Sequence, residues 1–424
     1  MMRTLLMSIL MHCLQSAAVG QGGTWEVFST ATGHLPSDRV GSMLAEPDGT
    51  LWFGTDWGLV RFQDGGWTTF QVDNSDVPSN DISCLSLDAA GRLWVGTRFN
   101  GIGIWDGTGW SVLDTEGLAI PLFEINGITH DHRGWVWVST PLGLACRTAE
   151  GWRVYDDTEE SHGGNQFFLP HVKQVAVRGD DLVSVASLNA GLIYFNETDF
   201  IYYTTFNSFF PDNSANAIAL DANGDRWLAC PAGGLVWHAG DFIGGPWFAY
   251  NIFTAGLPDN SMNCIHIDAQ DVKLVGTQTA GVLLFRNVND WSTLGTANSG
   301  LPDDNVLSVL RAPDGSLWAG MAGGGAARYE VGLGTGGHVR RAGMEVCVLP
   351  GRRLMLEGLP EGRDHTWELF DGTGRRLGEG RTGGGRAFIA LPAFLPPAVY
   401  QVVCRNADGI PMVSRFLLGQ DDGF

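Results

Sequence analysis

Leu51-Trp52-Phe53-Gly54-Thr55 returns six times along the chain, as LWVGT from Leu93, VWVST from Val136, VSVAS from Val183, RWLAC from Arg226, KLVGT from Lys273 and LWAGM from Leu317. Successive copies lie 42, 43, 47, 43, 47 and 44 residues apart, a period that matches one blade of a β-propeller. The second position is Trp in five copies (Trp52, Trp94, Trp137, Trp227, Trp318), and the fourth is always small (Gly54, Gly96, Ser139, Ala186, Ala229, Gly276, Gly320). Period-two alternation puts both positions on one sheet face. The pattern predicts that each small residue makes room for the large ring of a neighbouring blade, so that these tryptophans pack blade on blade.

Working outward, an alternating stretch such as Val40 to Leu44 and a turn, Glu46-Pro47-Asp48-Gly49, precede each segment. They read as an inner strand and a hairpin. A glycine and a third strand follow, as in Gly58-Leu59-Val60-Arg61-Phe62, and a fourth strand opens on Trp67, Trp110, Trp152, Trp247 or Trp291, with Phe200 to Tyr203 in the remaining interior copy. Four strands per repeat make a blade. The seventh repeat stops at Arg328-Tyr329 without its fourth strand, while Trp25-Glu26-Val27-Phe28 stands unclaimed before the first. The expected fold is therefore all-β: a seven-bladed β-propeller over residues 21–331, closed by the N-terminal strand, which ties the two ends of the ring together and removes an exposed edge. Composition agrees, with 59 glycines, 16 tryptophans and only 17% charged residues. A net charge of −20 excludes nucleic acid as a partner, because phosphate contacts need clustered Lys and Arg.

Residues 1–20 carry Arg3, an apolar run from Leu5 to Leu14 and small residues ending at Ala18-Val19-Gly20. That order reads as a secretory signal peptide, with the mature chain starting near Gln21. Cys84, Cys146, Cys230 and Cys264 occupy separate repeats at no zinc-motif spacing and read as apolar core thiols; Cys347 and Cys404 could pair in an oxidising compartment. Residues 332–342 read as a Gly-rich linker. From Gly332 onward 11 Arg meet 10 acids, whereas the chain before it holds 36 acids against 15 bases, so the two parts present different surfaces. Alternating runs around Val346, Trp367 to Phe370, Phe388 to Leu391, Tyr400 to Val403 and Val413 to Leu418 predict a small Ig-like β-sandwich over 343–424.

The entries LPSDRV, LPDNSM and LPDDNV, with PDGTLWFGT and PDGSLWAG, resemble the two-component regulator propeller repeat across residues 24 to 331, and Pro36, Pro78, Pro121, Pro170, Pro211, Pro258 and Pro302 keep phase with the seven segments. That resemblance implies an extracytoplasmic sensor-type propeller that responds to carbohydrate. No later apolar span or kinase-like region follows in the chain, so signalling by this polypeptide itself is not expected. Trp367-Glu368-Leu369-Phe370-Asp371-Gly372-Thr373-Gly374-Arg375, Ala398 to Val403 and the ending Ser414 to Leu418 resemble the sorting domain of the type IX secretion system, departing from it at Val348-Leu349-Pro350-Gly351 and Ala398. This second resemblance implies partnership with outer-membrane secretion machinery, and release from or attachment to the surface of a Gram-negative bacterium. An accessory β-sandwich that mediates contacts is the alternative.

Binding chemistry is expected where the loops into the inner strands and the loops from second to third strands surround the channel. The first set brings Asp38, Asp81, Glu124, Asp212, Asp259, Asp303 and Asp304, with His171 and Lys173 in the fourth copy. Such a ring could hold a cation or bond sugar hydroxyls; the same residues also close turns through backbone bonds. The second set brings Asp56-Trp57, Arg98-Phe99-Asn100, Leu188-Asn189 and Gln278-Thr279, and the faces of Trp57 and Phe99 beside Asp, Arg and Asn suit stacking on a sugar. The ligand-binding set is Asp38, Asp56, Trp57, Asp81, Arg98, Phe99, Asn100, Asp259 and Asp303. An insertion from Asp156 to Phe168 adds Asp157, Glu159, Glu160 and His162. No nucleophile elbow, zinc helix or P-loop occurs, so a secreted or cell-surface carbohydrate-binding propeller is favoured over an enzyme, and no metal site or cofactor is predicted. The alternatives are a lyase using His171 with Glu124 or Asp212, and a protein-interaction scaffold. His130-Asp131-His132 falls on the opposite face, and Asp221 to Asp225 falls short of a calcium loop.

Overall fold

A computed structural model describes residues 23–115, 118, 122, 124–156, 171–196, 199–239 and 244–330, together with the strands 345–349, 353–359, 365–370, 376–382, 385–390, 398–405 and 411–418. The leader, the insertion with His162, Pro121, Pro170, the linker and the side chains of Cys347 and Cys404 lie outside the described residues. Contacts divide the chain into two units, Met1–Gly332 and Leu333–Phe424. Strands dominate both, and Thr296–Ser299 is the one helix among the described residues.

The first unit is a seven-bladed propeller. Blade 1 runs Val40–Ala45, Leu51–Thr55, Gly58–Gln63 and Gly66–Phe70 from inside to outside, each strand antiparallel to the last. Blades 2 to 6 repeat the order with inner strands Ile82–Leu87, Gly127–His130, Val172–Val177, Ala217–Leu220 and Met262–Ile267. Phe200–Tyr203 is the outer strand of blade 4. Blade 7 joins Val306–Arg311, Leu317–Met321 and Ala326–Glu330 to Thr24–Phe28, with Thr24 opposite Glu330 and Phe28 opposite Ala326. Inner strands of successive blades touch all the way round, blade 7 returning to blade 1. Ser308 Oγ on blade 7 donates to the Val40 carbonyl at 3.3 Å.

The repeated tryptophans fill the seams between blades. Trp52 packs with Val77, Ile82 and Leu93 of blade 2, and Trp137 with Val172 and Phe195 of blade 4. Each indole N–H also needs an acceptor once buried. In four copies an acid six residues upstream supplies it: Glu46 for Trp52 at 2.5 Å, Asp88 for Trp94 at 3.0 Å, Asp131 for Trp137 at 3.1 Å and Asp221 for Trp227 at 3.0 Å, whereas Trp318 donates to Ser316 Oγ at 2.9 Å. Asp221 therefore works as a turn acid, also taking the N–H groups of Asn223 and Asp225.

In the four copies where the small fourth residue is glycine it does not make room for a ring, contrary to the expectation above. Gly54, Gly96, Gly276 and Gly320 sit opposite Ser42, Cys84, Cys264 and Ser308 of their own inner strands, each beside a bulge. A Cβ there would meet that side chain, and would also lie 2.7 Å from Ile82, 2.8 Å from Ile125, 2.6 Å from Val306 and 2.8 Å from Val40 respectively, at the start of the next blade. Converging inner strands leave space for one side chain, and the inner-strand Ser or Cys takes it. Gly96→Ala should therefore destabilise by about 1–3 kcal/mol, the usual cost of overpacking. Thermal melts of Gly96→Ala, Cys84→Ala and the double variant check this: part of the loss returns in the double variant, and additive losses contradict it.

The second unit contains a three-stranded sheet, Glu345–Leu349, Arg353–Leu359 and Gly385–Ala390, and a four-stranded sheet ordered Arg376–Thr382, His365–Phe370, Ala398–Arg405, Pro411–Leu418. Cys347 and Cys404 stand on strands of different sheets.

Candidate functional site

Both expected loop sets surround the same mouth of the channel and are tied together there. The N–H groups of Arg98, Gln278 and Ala322, after the second strands, donate to the carbonyls of Asp81, Ser261 and Asn305, just before the inner strands, at 3.0, 3.0 and 2.9 Å.

Counted from the proline of each entry, the expected ring of carboxylates separates into three registers. One place after Pro, Asp212 accepts from Ala232 N–H at 3.1 Å, Asp259 from Thr279 N–H and Oγ1 at 2.8 and 2.7 Å, and Asp303 from Gly323 N–H at 3.0 Å. Two places after Pro, Asp38, Asn80, Asn213, Asn260 and Asp304 accept the N–H groups of Thr30, Val72, Thr205, Ile252 and Thr296 at 2.7–2.9 Å. Their carbonyls accept from Gly325, Gly58, Gly191, Gly234 and Gly281 at 2.7–3.0 Å. Each donor belongs to the preceding blade, so this register clasps neighbouring blades together. Asp38, Asp259 and Asp303 accordingly do not join one ligand ring, because amides at the loop ends need acceptors and claim their carboxylates.

The third register leaves a carboxylate facing a side chain. Asp81 Oδ2 lies 3.1 Å from Arg98 Nε, and Arg98 Nη1 lies 3.5 Å from Glu124 Oε1 on the next entry loop. Lys173 at the head of the blade 4 inner strand completes the cluster: burial pulls its ammonium below the usual lysine range, Glu124 opposes the shift and Arg98 adds to it. The cluster thus joins blades 2, 3 and 4.

The loop backbone beside it is pinned. Thr55, Thr97 and Thr140 donate through Oγ1 to the carbonyls of Gly58, Gly101 and Gly143 at 2.6, 2.8 and 3.0 Å, and accept from Trp57, Asn100 and Leu142 N–H at 3.1, 3.0 and 3.1 Å. Gly58 and Gly143, at φ 136° and 144°, adopt backbone that only glycine tolerates there. Asn100 is spent on this scaffold, its Nδ2 donating to Pro78 at 2.7 Å. Trp57 and Phe99 are left 61% and 63% exposed, rings held out from the propeller with Asp56 exposed beside Trp57.

Among the described residues no hydrogen bond or ion pair joins His171 to Glu124 or Asp212, and no three His, Cys, Asp or Glu side chains converge as metal ligands. His130 Nδ1 bonds Ser86 Oγ at 2.9 Å while His132 Nε2 reaches Asp181 at 3.3 Å, so the two diverge. Burial pushes the thiols of Cys84 and Cys264 up to about 12, inert at neutral pH. An open groove of about 430 Å³ between the outer strands of blades 1 and 2, lined by Phe70, Trp105 and Trp110, is separate from the charged cluster.

Sequence reasoning missed a segregation of whole faces. The described loops and inner-strand heads of the channel mouth hold twelve carboxylates against three cations, Arg39, Arg98 and Lys173. The arginines collect instead at the opposite ends of the strands, where Arg92, Arg133, Arg178 and Arg311 pair with acids. Of the nine exposed large apolar side chains among the described residues, Trp57, Val72, Phe99, Leu142, Phe206, Phe209, Ile252 and Phe253 lie in the mouth loops, and Val112 ends a strand leading into one.

Two stretches, residues 34–57 and 76–99, match the two component regulator propeller model. No curated protein matches the chain. Among solved structures, the extracellular domain of BT3049 from B. thetaiotaomicron, described as a hybrid two component system, is 17% identical with a TM-score of 0.63, over 93% of this chain and 57% of that one. PorZ of Porphyromonas gingivalis, described as a surface component of the type-IX secretion system, is 16% identical with a TM-score of 0.55, over 91% of this chain and 60% of its own. Virginiamycin B lyase from Staphylococcus aureus is 13% identical with a TM-score of 0.55, over 72% and 99%. The chain thus spans less than two thirds of the first two, and identities at this level establish the propeller fold alone.

Proposed function

We propose that this chain is an extracytoplasmic binding protein whose propeller takes carbohydrate at the channel mouth of blades 1 to 4. The observation that carries the reading is the pair of exposed rings, Trp57 and Phe99, on pinned loops beside Arg98, Asp81 and Glu124. A sugar ring offers an apolar face to an aromatic side chain and hydroxyls to charged partners, and a scaffold that is rigid before binding spends little entropy on ordering. Extracellular structural neighbours support a location outside the cytoplasm. In this reading residues 1–20 direct export, residues 21–331 bind, and residues 343–424 are an Ig-like sorting sandwich that engages outer-membrane secretion machinery. Binding needs no cofactor.

A thermal-shift panel of glycans against the full chain tests it. A ligand at 100 times its Kd adds about 2.7 kcal/mol, a rise of several degrees. One glycan class should give that rise, and Trp57→Ala, an exposed site whose loss leaves the fold intact, should remove it. A flat response across the panel contradicts carbohydrate as the ligand.

A further inference from the structure

The mouth loops entering the adjacent blades 5 and 6 carry a second set of exposed apolar side chains, on the far side of the ring from Trp57 and separate from the carbohydrate reading. Phe206 is 94% exposed, Phe209 84% and Phe253 86%, with Ile252 beside them at 43%. Comparison between repeats shows that the fold does not require these rings. The preceding residue in each turn is fixed by the blade clasp (Thr30, Val72, Thr205, Ile252, Thr296), so the next position is equivalent in five blades. It is occupied by Ala31, Asp73, Phe206, Phe253 and Ala297. The same turn forms with alanine or aspartate, so the two phenylalanines on adjacent blades add exposed surface and nothing to the turn. Holding such rings in water is unfavourable, and neighbouring exposed aromatics mark interaction surfaces.

The face around them sets the chemistry of the partner. Its described loops and inner-strand heads are acidic by twelve to three, which repels a like-charged surface and draws a basic one. A second copy of this chain would bring the same acidic face. We propose that this arc of the channel mouth docks a protein segment in which aliphatic or aromatic side chains alternate with lysine or arginine, the apolar groups covering Phe206, Phe209 and Phe253 and the cations meeting the acidic rim.

The test uses the full chain and three synthetic peptides of equal length, alternating leucine with lysine, leucine with glutamate, and serine with lysine. Fluorescence anisotropy should show saturable binding of the leucine–lysine peptide, at least tenfold weaker binding of the serine–lysine peptide, and none of the leucine–glutamate peptide. Phe206→Ser with Phe253→Ser, both exposed and so compatible with folding, should weaken the first at least tenfold, with unchanged melting. Equal affinity for the double variant overturns the proposal, since attraction to net charge alone would then suffice. Self-association of the intact chain in sedimentation, abolished by the double variant, overturns it in favour of a second copy as occupant.

Discussion

A chain lacking Thr24–Phe28 is expected to lose about 5 kcal/mol or more and to melt far below the intact protein, or not to fold at all. Phe28 is buried with Val40, Phe53 and Trp318, its ring 5.4 Å from Trp318 and 4.8 Å from Trp67. Truncating a buried Phe alone costs about 3–5 kcal/mol. The strand adds five backbone pairings, and Trp25 adds a ring contact with Tyr329 at 5.0 Å and a bond to Ser299 at 3.0 Å. Without it Ala326–Glu330 becomes a bare edge open to aggregation. Native stabilities are themselves about 5–15 kcal/mol, so little would remain. Phe28→Ala gives the graded version, a fall of roughly 10 °C. A deletion that melts within a few degrees of the intact chain contradicts closure of the ring by this strand.

Acid should destabilise the propeller between pH 6.5 and 4, with the buried His238 as the main contributor. His238 is fully buried between blades 4 and 5. Its Nδ1 lies 2.5 Å from the Tyr194 hydroxyl, its ring stacks on Trp247 at 3.8 Å, and it faces Arg226 across the sheet. Burial first, and the Arg226 charge second, bring its pKa down to about 4 from 6.5. The unfolded chain therefore binds a proton that the folded chain refuses. Stability is full above pH 6.5 and falls as pH drops from 6.5 to 4, by about 3 kcal/mol at 1.36 kcal/mol per unit. His238→Gln keeps a polar side chain that does not titrate, and its loss of stability over that window should be smaller by this amount. His130 and His266, also lowered by burial, act equally in both proteins. Parallel acid profiles of the two proteins contradict the assignment.

The blades were legible because the LWxGT segment repeats in both position and chemistry, and even the variant outer strand at Phe200–Tyr203 falls where spacing puts it. Two strands of the second unit, Arg353–Leu359 and Arg376–Thr382, escaped. The latter, RLGEGRT, has the glycine and charge of a loop, and only pairing with His365–Phe370 makes it a strand. At the site, the acids of the entry loops looked alike until structure showed which faced a backbone amide. Counting from the proline of each entry separates Asp81 from Asp259 and Asp38, so that signal was present in the sequence. Exposure of Phe206 and Phe253 was hidden by their burial-prone residue type, yet the Ala31, Asp73 and Ala297 at the same repeat position carry the clue.

Titration calorimetry of the glycan class selected by thermal shift, on the full chain and on Phe99→Ala, tests the central claim most directly. Phe99 is 63% exposed and makes no part of the core, so the variant folds as the parent does. A saturable isotherm for the parent and at least tenfold weaker binding for Phe99→Ala is the predicted result. Equal affinity in the two proteins would place the ligand elsewhere and contradict a carbohydrate site at the mouth of blades 1 to 4.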